Sequence, residues 1–222
     1  MLHLRRGASP FEGIRVVTMT AIANLVRPYG LTPQRVDAAV TTGIEAGIFL
    51  ATRSKFKNAH LLRVHHGEKQ YAVKLFSNLR IQLTGLKDLE TLEEVVAIIA
   101  TQLTRSGIPT FLDDCETKIC LVNYAFDTQM RVGLRNLKTV LDLSPHPQLR
   151  LAFFDSDKRQ AVSAKFLVQT RLISFSIFES GKLNISCPHM NDFDASVSEI
   201  HSIVQTYLFP LMSVQNFTQA FL

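Results

Sequence analysis

KLFSNLRIQLT, residues 74–84, and SIFESGKLNIS, residues 176–186, carry one pattern twice, 102 positions apart. In each, a Phe (Phe76, Phe178) opens an alternation with a polar residue at every second place: Asn78, Arg80, Gln82, Thr84, then Ser180, Lys182, Asn184, Ser186. Leu79, Ile81 and Leu83 stand between the first set, and Gly181, Leu183 and Ile185 between the second. A period of two predicts a strand with one buried face and one open face. The open face then carries a Phe, a cation, an amide and a hydroxyl in the same order both times, which marks it as a surface for a ligand.

The echo continues on both sides. After Thr84, KDLETLEEVVAIIATQL puts Leu92, Val95, Val96, Ile99 and Leu103 on one helical face, with Asp88 placed to cap the start. After Ser186, NDFDASVSEIHSIVQTYL does the same with Phe193, Val197, Ile200, Val204 and Leu208, capped by Asn191 or Asp192. Before each pattern come a strand, a helix and a hairpin. In the first half these are IRVVTMTAIANL (14–25), a helix from LTPQRVDAAV with Pro33 in its first turn, and a hairpin turning near Gly67. In the second they are TKICLVNYAF (117–126), RVGLRNLKTVLDL (131–143) stopped by Pro145 and Pro147, and a hairpin turning near Gln169 to Arg171. The polar link RSGIPT (105–110) joins the halves. The expected organisation is an N-terminal tail (1–13), a first repeat (14–108), a second repeat (109–212) and a C-terminal tail (213–222). The expected fold class is α+β: two pseudo-symmetric strand-helix-strands-helix units whose strands join in one curved antiparallel sheet, helices on one face and the other bare.

At 222 residues and 46% hydrophobic content, the chain has ample core for one sizeable domain or two small ones. A net charge of +5 suits a polyanionic partner. The excess lies early, with 14 Lys and Arg against 9 Asp and Glu in residues 1–113, and 10 against 10 in 114–222. The longest apolar runs are near six residues, as in VVAIIA (95–100), against the roughly 18 to 20 needed to cross a bilayer, so no membrane partner is expected. MLHLRRGASPFEG lacks the apolar stretch of a secretory signal. The odd cysteine among Cys115, Cys120 and Cys187 fits a reducing compartment. Together these predict an intracellular protein.

These residues resemble the two-repeat core of the TATA-box-binding protein (TBP) family, in which each repeat carries an FxSGKxxxTGAK-type strand and turn. FSNLRIQLTGLK (76–87) is close to that pattern, and FESGKLNISCPH (178–189) keeps FxSGK but has Ser186 and Cys187 where the family has Thr-Gly. KICLVNYAFDTQMRVGLRNL (118–137) is similar to the family's second-repeat opening, and the match runs from about residue 14 to 212. The resemblance implies a saddle whose concave sheet lies in the DNA minor groove, with phenylalanines wedged between base steps. Phe76 and Phe178 match the wedge before SGK in each repeat, Arg80 and Lys182 the phosphate-contacting cation, and Thr84 and Ser186 the groove-facing hydroxyl. Asp155 and Asp157, in FFDSDKRQ, resemble the acidic loop that docks the family's B-type (TFIIB-like) general initiation factor.

The chain departs from the family at two kinds of position. The partner Phe of each pair belongs 17 residues earlier, where Ala59 and Ala161 stand; Phe56, Phe153, Phe154 and Phe166 are nearby. The two asparagines that reach minor-groove acceptors are replaced by Thr18, with Thr20 on the same strand face, and by Leu121, with Asn123 on the same face. Because A·T pairs offer mostly acceptors in the minor groove, fewer amide donors mean a weaker reading of TATA. Gln82 and Asn184 stand where the family is usually apolar, so the surface has become more polar.

A Phe in a strand is buried more often than not, but the phase of Phe76 and Phe178 with the cations and hydroxyls argues for the open face. Cys187-Pro-His189 and Cys115-x4-Cys120 lack the tight paired spacing of zinc sites, and the phase of Cys120 points it into the core, so no metal is expected. His65 and His66 read as exposed turn residues. No Gly-rich phosphate loop and no nucleophile elbow is present, so neither catalysis nor a cofactor is expected. The expectation is a TBP-like initiation factor that binds double-stranded promoter DNA and recruits a TFIIB-like factor and the RNA polymerase machinery, as a monomer or weak homodimer. It would work in the nucleus, or in a cytoplasmic viral factory if a large DNA virus is the source. The alternative is a protein-interaction scaffold of the same fold.

Overall fold

The computed structural model describes residues 14–52, 58–143, 146–157, 160–188 and 193–212, the side chains of 193–196 excepted. Both tails, Phe56, Pro145, His189 and the expected caps Asn191 and Asp192 lie outside the described residues. Two compact units share the chain, one built on Thr18–Cys120 and the other on Leu121–Leu222, with borders inside two strands, after Val17 and after Cys120. Among the described residues the paired strands run antiparallel, and the fold class is α+β.

In the first unit β1 (Arg15–Asn24) alternates from Met19 onward, so that Met19, Ala21 and Ala23 are buried and Thr20 and Ile22 are half-buried on the other face. A positive φ of 85° at Gly85 accompanies the register shift that pairs Met19 with Leu86 and Thr20 with Thr84, a β-bulge at a glycine. Helix α1 (Pro33–Glu45) starts at Thr32, whose side chain accepts from the backbone N–H of Arg35, with Pro33 at its first position. Then come β2 (Phe49–Ala51), β3 (Ala59–His66), β4 (Lys69–Phe76) and β5 (Arg80–Leu86), in the lateral order β2-β3-β4-β5-β1. Helix α2 (Leu89–Arg105) is capped by Asp88, which accepts from Thr91 N–H at 2.8 Å, and buries Leu92, Val95, Val96, Ile99 and Leu103. With Val36, Ala39 and Val40 of α1 they cover Leu62, Val64, Val73, Leu75, Ile81 and Leu83 of the sheet.

The second unit repeats this with β6 (Glu116–Asp127), α3 (Leu134–Leu143), β7 (Leu149–Phe153), β8 (Ala161–Val168), β9 (Arg171–Phe178) and β10 (Lys182–Pro188), ordered β6-β10-β9-β8-β7. Helix α4 (Phe193–Ser202) continues into a π-helical segment, Ile203–Leu208. Phe166, Phe175, Ile173, Ile177, Leu183 and Ile185 are fully buried under these helices, with the Phe166 and Phe175 rings edge to face at 5.0 Å.

Four details differ from the reading of the sequence. Each repeated pattern is not one strand but the end of one and the start of the next. Phe76 closes β4 and Phe178 closes β9, and the chain then turns, Leu79 N–H donating to Phe76 O and Gly181 N–H to Phe178 O, both at 2.9 Å. The alternation survives because the two strands of a hairpin share their faces. Short edge strands β2 and β7 carry no period long enough to read. Helix α3 begins at Leu134, not Arg131, and the residues before it tie to the β9–β10 turn instead, the Val132 N–H donating to Glu179 O at 2.9 Å. In α4 the buried residues Ile200, Val204 and Leu208 recur every four residues, outrunning a 3.6-residue turn, and the helix widens to i→i+5 bonding, as from Phe209 N–H to Val204 O.

Candidate nucleic-acid interface

Cross-strand partners point to the same face of a sheet, so the registers define the face opposite the helices in each unit. In the first unit Thr20, Ile22 and Asn24 pair with Thr84, Gln82 and Arg80, and Gln82 and Thr84 pair in turn with Lys74 and Ala72. Thr18 is half-buried in phase with Thr20. In the second unit Asn123 pairs with Ser186, Ala125 with Asn184 and Asp127 with Lys182, while Asn184 and Ser186 pair with Ser176 and Ser174. The face therefore gathers the sequence-predicted residues Thr18, Thr20, Arg80, Gln82 and Thr84 in one unit and Asn123, Lys182, Asn184 and Ser186 in the other. Ser186 Oγ donates to Asn123 Oδ1 at 2.8 Å, joining two of them in one polar rung.

Phe76 and Phe178 are half-buried on the same face, in phase with Lys74 and with Ser176. Their cross-strand partners are Ala59 and Ala161, each 7% exposed, so the places where the resemblance puts a second Phe are beside the first but hold a methyl group. Of the other aromatics near those places, Phe166 is in the core. Phe153 is 43% exposed on the open face of β7, opposite Ser163. Phe154 lines a hollow of about 580 Å³ that also touches Phe178, Leu134, Arg131 and Glu179.

Arg80 and Lys182 are exposed, and among the described residues neither forms an ion pair. Asp127, across from Lys182, accepts instead from the backbone N–H of Gln129 at 2.9 Å. Carboxylates of the first unit work on the helix side. Asp37 of α1 meets His60 at 2.8 Å and Glu94 of α2 meets His66 at 2.7 Å, so β3 ties down both helices. His66 is thus a strand-end tie rather than a turn residue, while His65 is exposed and bonded to Gln70 at 3.2 Å.

Asp155 and Asp157 lie in the turn after β7, where Asp155 Oδ1 accepts from the Asp157 N–H at 3.1 Å and the exposed Asp157 accepts through Oδ1 from Ser156 Oγ at 3.2 Å. Cys187 is buried on the helix side of β10, and burial pushes its thiol up to about 11. Burial also raises the Cys115 thiol, against a lowering hydrogen bond from the Asn24 backbone. Cys120 is half-buried rather than in the core. The described residues contain no cluster of three or more His, Cys, Asp or Glu.

Sequence reasoning missed Lys74. It stands on the open face one rung inward from Phe76, and extending the same period of two upstream along β4 finds it. Phe153 carried no such signal, because a five-residue edge strand interrupted by a register shift shows no clean alternation.

No family model and no curated protein matches the sequence. Among solved structures, Methanococcus jannaschii TBP superposes with a TM-score of 0.58 at 16% identity, covering 87% of this chain and 96% of that one. Heterotetrameric sarcosine oxidase from Corynebacterium gives a TM-score of 0.28 at 12% identity over 90% of this chain and 83% of that one, too poor a superposition to carry an argument. The first likeness shows a TBP-like fold for this chain.

Proposed function

We propose that this chain is a TBP-like general transcription initiation factor that holds promoter DNA by the minor groove and recruits further initiation factors. The observation that carries this reading is the bare face, which in both units presents a Phe, an unpaired cation and a row of hydroxyls and amides in register. Cations there would release counterions from phosphates, which contributes most of the sequence-independent affinity. Hydroxyl and amide groups would meet the acceptors of A·T pairs. One Phe per unit, with alanine beside it, supports a wedge half the size of the family's. Bending a site is estimated at about 1 to 6 kcal/mol, and a smaller wedge recovers less of that, so the bend is shallow.

The acidic turn after β7, with Asp157 exposed and Asp155 half-buried, supports docking of a basic surface on a TFIIB-like factor with the polymerase machinery behind it. No catalytic step is proposed. The site of action is the nucleus, or a cytoplasmic factory if the source is viral.

A second reading, a scaffold of the same fold that binds proteins rather than DNA, is favoured by Ala59, Ala161 and Leu121 standing where the resemblance calls for wedges and an asparagine. Titration of A·T-rich and G·C-rich duplexes across salt, with Phe76→Ala and Phe178→Ala variants, separates the two. The initiation-factor reading expects tighter A·T-rich binding and a loss of about tenfold per Phe, since base–aromatic contacts are worth roughly 1 to 3 kcal/mol. Failure of the wild-type chain to bind either duplex at low salt leaves the scaffold.

A further inference from the structure

The face carries a second pair of matched cations. Arg63 on β3 and Lys165 on β8 are 102 positions apart, the same interval that separates Phe76 from Phe178 and Arg80 from Lys182. Both are exposed and both occupy the open face, because the residues on either side of each (Leu62 and Val64, Ala164 and Phe166) are buried under the helices. Their cross-strand neighbours also match. Arg63 stands between Ala72 of β4 and Leu50 of β2, and Lys165 between Ser174 of β9 and Leu151 of β7. The two leucines are 41% and 50% exposed, so each cation is set in a rung with a small side chain inward and an open apolar one outward.

Neither cation has a carboxylate partner among the described residues. Arg63 donates only to the neutral amide of Gln70, at 3.3 Å, and no open-face position of β1 to β5 is acidic. Four residues of strand separate Arg63 from Ala59, beside Phe76, and Lys165 from Ala161, beside Phe178. At about 3.3 Å per residue that is roughly 13 Å, comparable to four charges along one DNA strand at about 3.4 Å each.

Building on the initiation-factor reading, we infer that Arg63 and Lys165 are a second phosphate-contacting pair, which extends the footprint in each unit outward from the Phe and inner cation toward the edge strand. The exposed leucines lie just outside each outer cation, able to rest on the sugar beyond its phosphate contact. The ligand is a duplex DNA backbone several phosphates long on each side, and this outer pair adds ionic affinity without adding a reading of bases.

The test is the slope of log affinity against log salt for the full chain on an A·T-rich duplex. Arg63→Ala/Lys165→Ala should shallow the slope by about two, one for each phosphate left without its cation, as should Arg80→Ala/Lys182→Ala. Arg135→Ala/Lys138→Ala, on α3, removes equal charge off the face and should leave the slope alone. Melting temperatures of the two sheet-face variants should match wild type, because Arg63, Lys165, Arg80 and Lys182 are exposed, while the α3 variant also gives up the Lys138–Asp142 ion pair and is compared at a temperature where it is fully folded. An unchanged slope for Arg63→Ala/Lys165→Ala beside a shallower one for Arg80→Ala/Lys182→Ala overturns this inference and leaves the initiation-factor reading intact. Equal shallowing by the α3 variant, or equal competition from an RNA duplex of the same length, overturns it as well. No duplex binding by wild type removes the parent reading first.

Discussion

Leu79 and Gly181 occupy the same place in their two turns, both with positive φ, at 64° and 80°. The demand on each is different. A Cβ on Gly181 would run into the carbonyl oxygen of Met130 and Oγ1 of Thr128, the hydroxyl that donates to Gly181 O at 2.9 Å. Gly181→Ala should therefore unfold the second unit more readily, by about 2 kcal/mol or more, summing left-handed strain of about 1 to 2 kcal/mol with the clash; a chemical denaturation curve measures it. Leu79 is fully buried and its side chain outweighs its strain. Leu79→Gly should lose about 1 to 3 kcal/mol net, because truncating a buried Leu costs about 2 to 5 and relief of strain returns about 1 to 2. Cys187 supplies a pH prediction. Its thiol, raised from 9.0 to about 11, is neutral in both states below about pH 9, so its contribution to stability is intact there and is lost as pH rises through about 11. Cys115 and Tyr207, also raised by burial, act in the same direction. Cys187→Val should reduce the steepness of alkaline unfolding between pH 9 and 11, read as melting temperature against pH.

Elements with strong periodicity were legible in the sequence, and those fixed by a single contact were not. Helix α2 was read correctly down to its Asp88 cap, because its apolar stride and capping residue are local signals; Asp88→Ala should cost about 1 kcal/mol of stability. Strand β2 shows the opposite case. It is three residues long and held by Phe49, whose fully buried ring lies so close to Gly43 of α1 that a Cβ there would sit 2.5 Å from it. Nothing within residues 49–51 announces that contact. Gly43→Ala should destabilise by about 1 to 3 kcal/mol despite the better helix propensity of alanine, because overpacking exceeds a gain of about 1 kcal/mol, and thermal melts decide the sign. For the candidate site, the phase of Arg80, Gln82, Thr84, Lys182, Asn184 and Ser186 was legible from alternation alone. The rungs of Arg63 and Lys165 were not, because whether a strand's odd or even positions face the helices is decided by its neighbours' register.

Part of the net charge of +5 is set on the open faces of the two units. Arg63, Lys74 and Arg80 stand on the open face of one unit and Lys165 and Lys182 on that of the other, while Asp37 and Glu94 are engaged on the helix side. If the four exposed cations Arg63, Arg80, Lys165 and Lys182 each meet one phosphate, affinity should fall on the order of a hundredfold between 50 and 200 mM salt, from a slope of about −0.9 per contact. The constant interval of 102 from Ala59/Ala161 through Thr84/Ser186 has a consequence of another kind. Three strands and two turns run in each unit without a single insertion or deletion between the copies, so Ala59–Thr84 and Ala161–Ser186 are interchangeable parts, ending short of the bulge at Gly85 that the second copy lacks. A chain carrying the second in both places needs no new linker and trades Leu61, His65, Gln70, Ala72 and Lys74 at the face for Ser163, Leu167, Leu172, Ser174 and Ser176. It should fold cooperatively and keep the salt slope of the four matched cations, which would make this a protein whose uncharged contacts can be exchanged by module without redesigning its ionic grip.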